Sequence, residues 1–388
     1  MLKKVFTVIW QYFRRLDKTL LLLTAAACVF SVVVLYSLVI NNQTQSITNA
    51  QLDYTDYRTQ AAAAILGIAL SLIIAAWDYR KFCKLWFIYF PVTVVLTCLT
   101  FTSLGRSGLE GADDRAWIAI GGFTLQPAEF LKLAFILSFA YHCFKSEEVF
   151  NNPLNVLLLC IHAAVPIGLV MAQGDDGTAI VFCAVFIAVI FSAGLSWKYI
   201  LGAGILSPIA VWLMWAYYLQ PVHKNRILAI INPEKYATAD MLYQTNLAKI
   251  ALGSGQIRGK GLFGGDYSYV PVSHNDFIFS YIGQTLGFIG CLSLVILIGV
   301  ICLRILGNSL RSGDGLGRYI CVGVFAYIFV QSTLNIGMVM GVTPVIGITL
   351  PFISAGGTSM LTSTVAIGLV MSVHFHSAKY NTLFAKKK

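Results

Sequence analysis

The residue types best suited to chemistry in this sequence lie in one stretch, YSYVPVSHNDFIFSYIGQTLG, which covers residues 267–287. A polar loop with His274 and Asp276 runs there, without a spacer, into an apolar segment. A carboxylate in the first turn of such a helix, where water meets lipid, is well placed to take a proton from a substrate held at the surface. Asp is also a common helix cap, so the local sequence supports a structural role for Asp276 as well.

Further charged side chains lie inside apolar runs or in short turns. Glu129 and Lys132, three residues apart in LQPAEFLKL, would share a helix face and could pair, as functional groups or as a structural ion pair. Adjacent acids occur in GADDRAW (residues 111–117) and in GDDG (residues 174–177). Carboxylate oxygens suit a hard divalent cation such as Mg²⁺ or Mn²⁺. The second pair fits a helix-capping turn before Thr178 equally well.

A third group of candidates is basic and lies in NPEKYATADMLYQTNLAKIALGSGQIRGKGL, residues 232–262. Apolar residues between Met241 and Leu252 recur at helical spacing, and a glycine-rich turn follows. Lys249, Arg258 and Lys260 surround this turn, whose backbone N–H groups could bind phosphate together with the cations. The order of residues is not that of a Walker A loop. A solvated linker beside anionic headgroups is the alternative.

The composition determines what kind of chain must position these residues. Of 388 residues, 57% are hydrophobic and 11% are charged, and the mean hydropathy is +0.76. Soluble domains carry roughly 25% charged residues. The chain is therefore predicted to be a polytopic membrane protein, with the membrane as a partner and no nucleic acid, despite a net charge of +10.

Ten apolar runs have about the 20 residues needed to cross a bilayer, which predicts an all-α fold with both termini on one side. The termini and loops on that side hold 17 Lys and Arg, and the opposite side holds nine, six of them in one long loop. Because short cytoplasmic loops retain positive charge, the termini are predicted to be cytoplasmic. A large extracytoplasmic loop, residues 220–276, then joins the seventh and eighth helices. The runs are residues 20–40, 61–77, 85–104, 125–144, 154–172, 178–195, 199–219, 277–306, 319–340 and 348–374.

Two further patterns narrow the class of protein. The nine cysteines lie in or beside apolar runs without CxxC spacing, which argues against a disulfide framework. The HExxH motif of zinc proteases and the GxSxG motif of serine hydrolases are both absent, which argues against these two classes of enzyme. Pro351, Gly356 and Gly357 interrupt the last apolar run and predict a broken helix, whose freed backbone groups must line protein or a cavity.

Five segments together resemble the SEDS family (shape, elongation, division and sporulation), which includes RodA and FtsW. GADDRAWIAIGGFTLQPAEFLKL resembles the family pattern GxRRWIxLG…FQPSExxKL, and QGDDGTA resembles QPDLGTA. The basic loop resembles NP…YQ…S…AIxSGGxxGKGL, and VSHNDFIFSYIGQTLGFIG resembles ExHTDFIFxxxGEELGFxG. NIGMVMGVTPVIGITLPFISAGGTSML resembles NxGMxxGxxPxTGxxLPFxSxGGSS. These matches run in order through most of the chain.

The resemblance implies one membrane domain over residues 1–388 in the bacterial cytoplasmic membrane. Its implied activity is a peptidoglycan glycosyltransferase that polymerises lipid II outside that membrane, beside a class B penicillin-binding protein. Asp276 matches the acid of HTDFIF and is implied to be the general base. The implied substrate-binding set comprises cations that would stabilise the departing pyrophosphate and four further polar residues. These are Arg115, Lys132, Lys249, Arg258 and Lys260, with Glu129, Asp175, His274 and Ser354.

The chain also departs from the family pattern. Gln284 and Thr285 replace the Glu pair of GEELG, and the Glu that precedes the HTD motif is missing around Val272. Two other functions therefore stay open at this point, a lipid II transporter without bond chemistry and a scaffold of the cell-wall machinery that has lost catalysis. The motifs do not distinguish elongation, division and sporulation.

Overall fold

The structure is a computed structural model that describes residues 10–41, 55–106, 115–120, 123–236, 239–271 and 273–385. Within these ranges, seven helices are long and apolar enough to cross a membrane, and two shorter apolar helices accompany them. One more helix, Pro127–Lys145, coincides with the remaining predicted run and carries Glu129 and Lys132. The prediction of an all-α, polytopic membrane protein is confirmed.

The helices follow the ten predicted runs in order, and further helices lie in the long loop. They are α1 Lys18–Ile40, α2 Thr55–Ala76, α3 Tyr79–Lys84, α4 Trp86–Cys98, α5 Pro127–Lys145, α6 Pro153–Ala172, α7 Asp176–Ser192, α8 Trp197–Leu213, α9 Pro221–Ile231, α10 Pro233–Tyr236, α11 Ala239–Ser254, α12 Ile278–Leu310, α13 Gly315–Met340 and α14 Gly357–Ala385. Helix α11 contains the stretch for which the loop sequence predicts helical spacing.

A small antiparallel sheet, absent from the prediction, lies between α4 and α5. Its strands are β1 Gly105–Arg106, β2 Trp117–Ile120 and β3 Phe123–Leu125, in the order β1-β2-β3. Ile118 pairs with Gly105 on one side and with Leu125 on the other. The strand pairs end at Leu125, Gln126 is the N-cap residue of α5, and Pro127 begins the helix. Proline fits the first helical turn because its missing N–H costs nothing there.

Helices α5, α13 and α14 contribute much of the buried core, which is mainly apolar but also encloses polar side chains, among them a set near the start of α5. Helix α14 packs against α2, and α13 packs against α7 and α12. By contrast, α8 exposes large apolar side chains such as Leu201, Ile205 and Trp212, which are suited to lipid contact. Glu129 and Lys132 therefore lie on a central helix, away from lipid.

The last helix begins later than the apolar run predicts. The run starts at Ile348, whereas α14 starts at Gly357 and residues 348–356 form turns and extended chain. Pro351 has no N–H to donate, and Phe352 lies in the left-handed region with φ +66°. The predicted interruption of the helix is confirmed. It extends over residues 348–356, so the first part of the apolar run is not helical at all.

The second interruption is inside α12, where Gly287 has φ 66° and ψ −163°. The glycine-rich turn after α11 packs directly against this kink. A Cβ on Gly255 would overlap the carbonyl oxygen of Gly283, and a Cβ on Gly259 would overlap that of Thr285. Glycine is required at these positions because two backbones touch there.

The N–H groups of this turn are occupied by protein carbonyls. Gly259 N–H donates to Gly255 O (2.7 Å), and Gly261 N–H donates to Thr285 O (2.9 Å). Lys260 N–H donates to Gln284 O (3.0 Å). The prediction that these backbone groups bind phosphate is therefore wrong. Gln284 and Thr285, which replace the family's acidic pair, are fully buried in this contact.

Candidate functional site

The loop before α12 is held in place through its backbone. The carbonyl oxygens of residues 274, 275 and 276 accept hydrogen bonds from the N–H of Ala355 (2.8 Å), the hydroxyl of Ser354 (2.7 Å) and the side-chain amide of Asn335 (2.8 Å), respectively. Three successive peptide groups are thus fixed by the break before α14 and by the end of α13. This arrangement presents Asp276 on a rigid support rather than on a free loop.

Asp276 itself is half-buried and lies one residue before Phe277, the N-cap residue of α12. Phe277, and not Asp276, therefore occupies the N-cap position of α12. The Asp276 carboxylate is beside Gly347, where Oδ2 is 3.6 Å from the position that a Cβ would occupy. Gly347 has φ +62°, which glycine adopts without strain, and its missing side chain leaves space beside the carboxylate.

Two predicted substrate-binding residues flank Asp276. The Ser354 hydroxyl donates to Asn275 O and accepts the N–H of Leu350 (2.7 Å), so both of these contacts stay within the protein. The His274 side chain is half-buried, and its carbonyl is one of the three fixed groups. The structure gives Ser354 a positioning contact, and substrate binding by either residue stays a prediction.

Glu129 and Lys132 form the buried ion pair that their spacing suggests. Lys132 Nζ donates to Glu129 Oε1 (2.8 Å) and to Gln331 Oε1 (2.7 Å), and it lies 4.6 Å from the centroid of the Tyr327 ring. Glu129 Oε2 accepts a hydrogen bond from Thr362 (2.9 Å). Their side chains are 3% and 1% exposed, so this network of α5, α13 and α14 excludes water from both charges.

A short piece of chain, the 346–349 segment, connects this ion pair with Asp276. Gln331 Nε2 donates to the carbonyl of residue 349 (3.0 Å), and Asn335 Nδ2 donates to that of residue 348 (2.6 Å) as well as to Asp276 O. A Cβ on Gly177, at the start of α7, would lie 2.9 Å from the carbonyl oxygen of residue 346. The segment therefore touches α7, α13 and the Asp276 loop.

The acidic pair of the GDDG turn has two separate partners. Asp175 Oδ1 accepts the N–H of Thr178 (2.9 Å), and its Oδ2 accepts the amide of Gln126 (3.0 Å). Asp176 Oδ2 lies 2.5 Å from His223 Nδ1. Asp175 is the N-cap residue of α7, which confirms the capping interpretation.

A divalent cation is among the predictions for this site. Within the described ranges, no three His, Cys, Asp or Glu side chains are close enough together to hold a metal ion. Asp113 and Asp114, the other acidic pair, lie outside the described residues. The carboxylates of Asp175 and Asp176 point to different partners, as described above. Binding of Mg²⁺ or Mn²⁺ therefore stays a prediction.

The remaining predicted cations lie at different places around the site. Arg115 is exposed, and its N–H donates to Gln173 O (3.0 Å), next to the GDDG turn. Arg258 and Lys260 are exposed on the glycine-rich turn, where Lys260 Nζ donates to the carbonyl of Asp266 (2.7 Å). Lys249 extends from α11 to Gly341 at the end of α13. The five predicted cations do not form one cluster, because Lys132 is enclosed in its own ion pair.

Sequence reasoning overlooked Asn335 and Gln331. Both are fully buried on α13, and they are the groups that link the ion pair to the Asp276 loop. They lie four residues apart and thus on one face of an otherwise apolar helix. Polar amides at that spacing inside a membrane-length run are a signal that could have identified them.

Burial raises the pKa of Asp175 from its ordinary 3.8 to about 6, although Thr178 and Lys132 favour the charged form. The folded protein therefore holds this proton more tightly than the unfolded chain does, and the resulting stabilisation is lost as pH rises through 6. We expect the stability of wild type relative to Asp175→Asn to fall by about 1.4 kcal/mol between pH 5 and 7.5, a few degrees in Tm. Thermal unfolding in detergent at a series of pH values measures this difference.

Asp266→Asn, which removes an exposed carboxylate, controls for the loss of one charge. If the stability of wild type relative to Asp175→Asn stayed constant between pH 5 and 7.5, or rose with pH, the raised pKa of Asp175 would be contradicted.

The long apolar helices and the charged groups gathered near the starts of α5, α7 and α12 define a polytopic membrane protein with a buried polar site at one end of its helices. Residues 18–379 match the model of the FTSW_RODA_SPOVE family, described as cell cycle protein, and the chain belongs to this family. The membership implied by the five motifs is confirmed.

Relatives of similar length carry the same assignment in their names. A probable peptidoglycan glycosyltransferase FtsW from Geobacter metallireducens is 32% identical over 373 residues, which cover 92% of this chain and 94% of the relative. The peptidoglycan glycosyltransferase MrdB of Escherichia coli is 30% identical over 368 residues, which cover 93% and 94%.

Two solved structures share the fold. RodA of Thermus thermophilus has a TM-score of 0.67 at 24% identity, covering 93% of this chain and 97% of its own. A chain of the structure described as "Structural coordination of polymerization and crosslinking by a peptidoglycan synthase complex" has a TM-score of 0.73 at 24% identity, covering 92% and 97%. Both comparisons extend over nearly the whole chain.

Proposed function

We propose that this protein is a peptidoglycan glycosyltransferase that polymerises lipid II into glycan strands. The observation that carries the proposal is the Asp276 carboxylate, presented on a loop fixed at three successive carbonyls beside a buried ion pair. A weak hydroxyl nucleophile needs a positioned base, and a rigid support keeps that base in the productive geometry. The names of the relatives support the same reaction.

In the proposed reaction, Asp276 takes the proton from the 4-hydroxyl of the acceptor GlcNAc as its oxygen attacks C1 of the donor MurNAc. The new O4–C1 bond forms while the bond from C1 to the pyrophosphate oxygen breaks, and the electron pair leaves with undecaprenyl pyrophosphate. Attack opposite the leaving group inverts the anomeric centre. Nearby cations stabilise the charge that develops on the pyrophosphate.

The proposal includes a location and a partner. The chain acts as one domain in the bacterial cytoplasmic membrane, with cytoplasmic termini and with the 220–276 loop and Asp276 outside. The positive charges of the short loops support this orientation. A class B penicillin-binding protein would crosslink the strands, and the fold similarity to a chain of a peptidoglycan synthase complex supports such an assembly.

Purified protein in liposomes, supplied with lipid II alone, tests the activity. We expect glycan polymer, detected on gels by a fluorescent lipid II. A transporter would expose lipid II on the opposite leaflet without forming polymer, and a scaffold would do neither. The same reactions with and without a chelator test for a divalent cation. Absence of polymer from folded protein in both conditions would refute the proposal.

Asn335→Asp should strongly impair polymerisation, because the amide that donates to the carbonyls of residues 276 and 348 is replaced by an oxygen that repels both. Displacement of a catalytic group by about 1 Å costs about 100-fold in rate, and we expect a loss of that order in kcat. Initial rates at saturating lipid II measure it. Thr333→Ala is the control, because Thr333 lies on the same helix with an exposed hydrogen bond to its own backbone. An unchanged kcat would show that Asn335 does not position the base.

A further inference from the structure

A buried carboxylate fixes an arginine at the end of the helices opposite to Asp276. Arg304 of α12 donates from Nε to both carboxylate oxygens of Asp17, at 3.1 and 2.8 Å. The side chain of Asp17 is 0% exposed, whereas that of Arg304 is 33% exposed. Arg304 lies 17 residues after the kink at Gly287, which is about 26 Å of helix at 1.5 Å per residue. The pair therefore lies near the membrane surface opposite to the proposed base.

The pair belongs to a hydrogen-bond network that joins three helices. Asp17 is the N-cap residue of α1, and its Oδ1 also accepts the N–H of Leu20 (3.1 Å). Its Oδ2 accepts the side-chain amide of Asn308 on α12 (2.8 Å). Asn308 Oδ1 in turn lies 2.8 Å from Nδ1 of His374 on α14. Each oxygen of Asp17 thus has two donors, and the guanidinium of Arg304 is held in one position instead of moving as a surface arginine does.

The terminal nitrogens of Arg304 are left without a protein partner. Within the described residues, this guanidinium makes its hydrogen bonds from Nε alone, and neither Nη1 nor Nη2 donates to an acceptor. A guanidinium carries its N–H donors in a planar fork that matches two oxygens of one phosphate. The half-exposed edge of Arg304 is therefore a fixed donor group that lacks an acceptor.

Further positive charge surrounds this guanidinium. Arg304 and Arg311 are both close enough to His374 to act on it electrostatically. Arg311 is exposed, and Lys18, which follows Asp17 directly, is exposed as well. The carboxylate of Asp17 compensates one of these three cations. The surroundings of Arg304 thus favour a ligand with a net negative charge.

Exposed apolar side chains beside these cations favour a lipid over a free anion. Val300 lies one turn before Arg304 on α12, and Leu22 lies one turn after Lys18 on α1, and both are exposed. Residues four positions apart share one helix face. On both helices, a cation at the end of the span is therefore followed, towards the membrane centre, by an apolar side chain. A phospholipid has the same order of groups, with its phosphate at the surface and its acyl chains below.

We propose that Arg304, together with Arg311 and Lys18, binds the phosphate of an anionic phospholipid in the leaflet opposite to Asp276. The phosphate oxygens accept hydrogen bonds from the terminal nitrogens of Arg304, and Asp17 acts as the positioning residue for that guanidinium. A headgroup without an ammonium, such as that of phosphatidylglycerol, is preferred, because an ammonium would be repelled by the neighbouring cations. The site takes no part in the proposed reaction and goes beyond the proposed function.

Native mass spectrometry of delipidated full-length protein, titrated in detergent with phosphatidylglycerol, tests the site. Arg304→Lys keeps a cation for Asp17 but lacks the fork, so we expect a folded protein whose affinity for phosphatidylglycerol is about tenfold lower or more. The double variant Asp17→Asn/Arg304→Gln removes both charges and leaves none of them buried alone, and it should lose the same affinity. Arg318→Gln, which removes an exposed arginine at the start of α13, is the matched control and should bind as wild type does.

Phosphatidylcholine and inorganic phosphate are the comparison ligands, and both should bind the wild-type protein more weakly than phosphatidylglycerol does. Wild-type affinity for phosphatidylglycerol in Arg304→Lys or in the double variant, at a normal Tm, would overturn the inference. An equal loss of affinity in Arg318→Gln would assign the binding to total charge and would also overturn it. Equal affinity for phosphatidylcholine would contradict the preference for an anionic lipid, and displacement of the lipid by inorganic phosphate at equal concentration would assign the site to a free anion.

Discussion

Asp276→Asn should lower the rate of lipid II polymerisation by about 10²–10⁴-fold, the usual contribution of a general base. The amide has the size of the carboxylate but cannot accept the proton of the acceptor hydroxyl. The variant keeps the backbone carbonyl that Asn335 holds, so the loop should keep its position. Initial rates with fluorescent lipid II in liposomes measure the loss, and an unchanged KM for lipid II would locate the defect in chemistry rather than in substrate capture.

Asp266→Asn is the matched control for Asp276→Asn, because it removes an exposed carboxylate ten residues earlier in the same loop. We expect it to polymerise at the wild-type rate. If Asp276→Asn, with a normal Tm and normal expression, also polymerised at that rate, another group would have to accept the proton. Loss of growth support without loss of polymerisation would instead indicate a role in the assembly.

Lys132→Met should be the most destabilising single change in the core, at about 3–5 kcal/mol, because it leaves the Glu129 carboxylate buried without a counter-charge. It also removes the hydrogen bond to Gln331 and the contact with the Tyr327 ring. Thermal unfolding in detergent measures the cost. Lys145→Met, at the exposed end of the same helix, controls for the loss of a lysine from α5.

The double variant Glu129→Gln/Lys132→Met distinguishes a structural pair from a functional one. Removal of both charges should recover part of the stability, because no uncompensated ion stays buried. If the pair is purely structural, polymerisation should recover with the folded fraction. A stable double variant without activity would show that one of the two charges acts on the substrate. A double variant less stable than Lys132→Met would contradict the burial argument.

The helices were predictable because apolar runs of membrane length are constrained by the bilayer itself. The Asp276 loop and the Glu129–Lys132 pair were also found from the sequence, since charged groups next to such runs are costly and therefore conspicuous. The start of α14 was predicted too early because hydropathy carries no information on backbone conformation. Phe352 is apolar and prolongs the run, but its positive φ, which depends on its surroundings, is not helical.

The partners that complete the site were less predictable, because they are distant along the chain. Asn335 meets the carbonyl of Asp276 across 59 residues, and no local pattern specifies that contact. The glycine-rich turn was misread for a different reason. A run of glycines lets a backbone approach either an anion or another backbone, and the choice is made by the kink at Gly287, which brings the carbonyls of residues 284 and 285 to the turn.

The kink at Gly287 also determines how helix α12 responds to bilayers of different thickness. Residues 278–285 of α12 are enclosed by protein, whereas the part after the kink exposes Phe288, Leu292 and Leu303. That second part is about 35 Å long at 1.5 Å per residue, enough to cross a bilayer by itself. Hydrophobic mismatch tilts such helices. We expect the tilt to be absorbed at the glycine, so that changes in lipid chain length alter the slope of the spanning segment while the carboxylate keeps its height above the lipid.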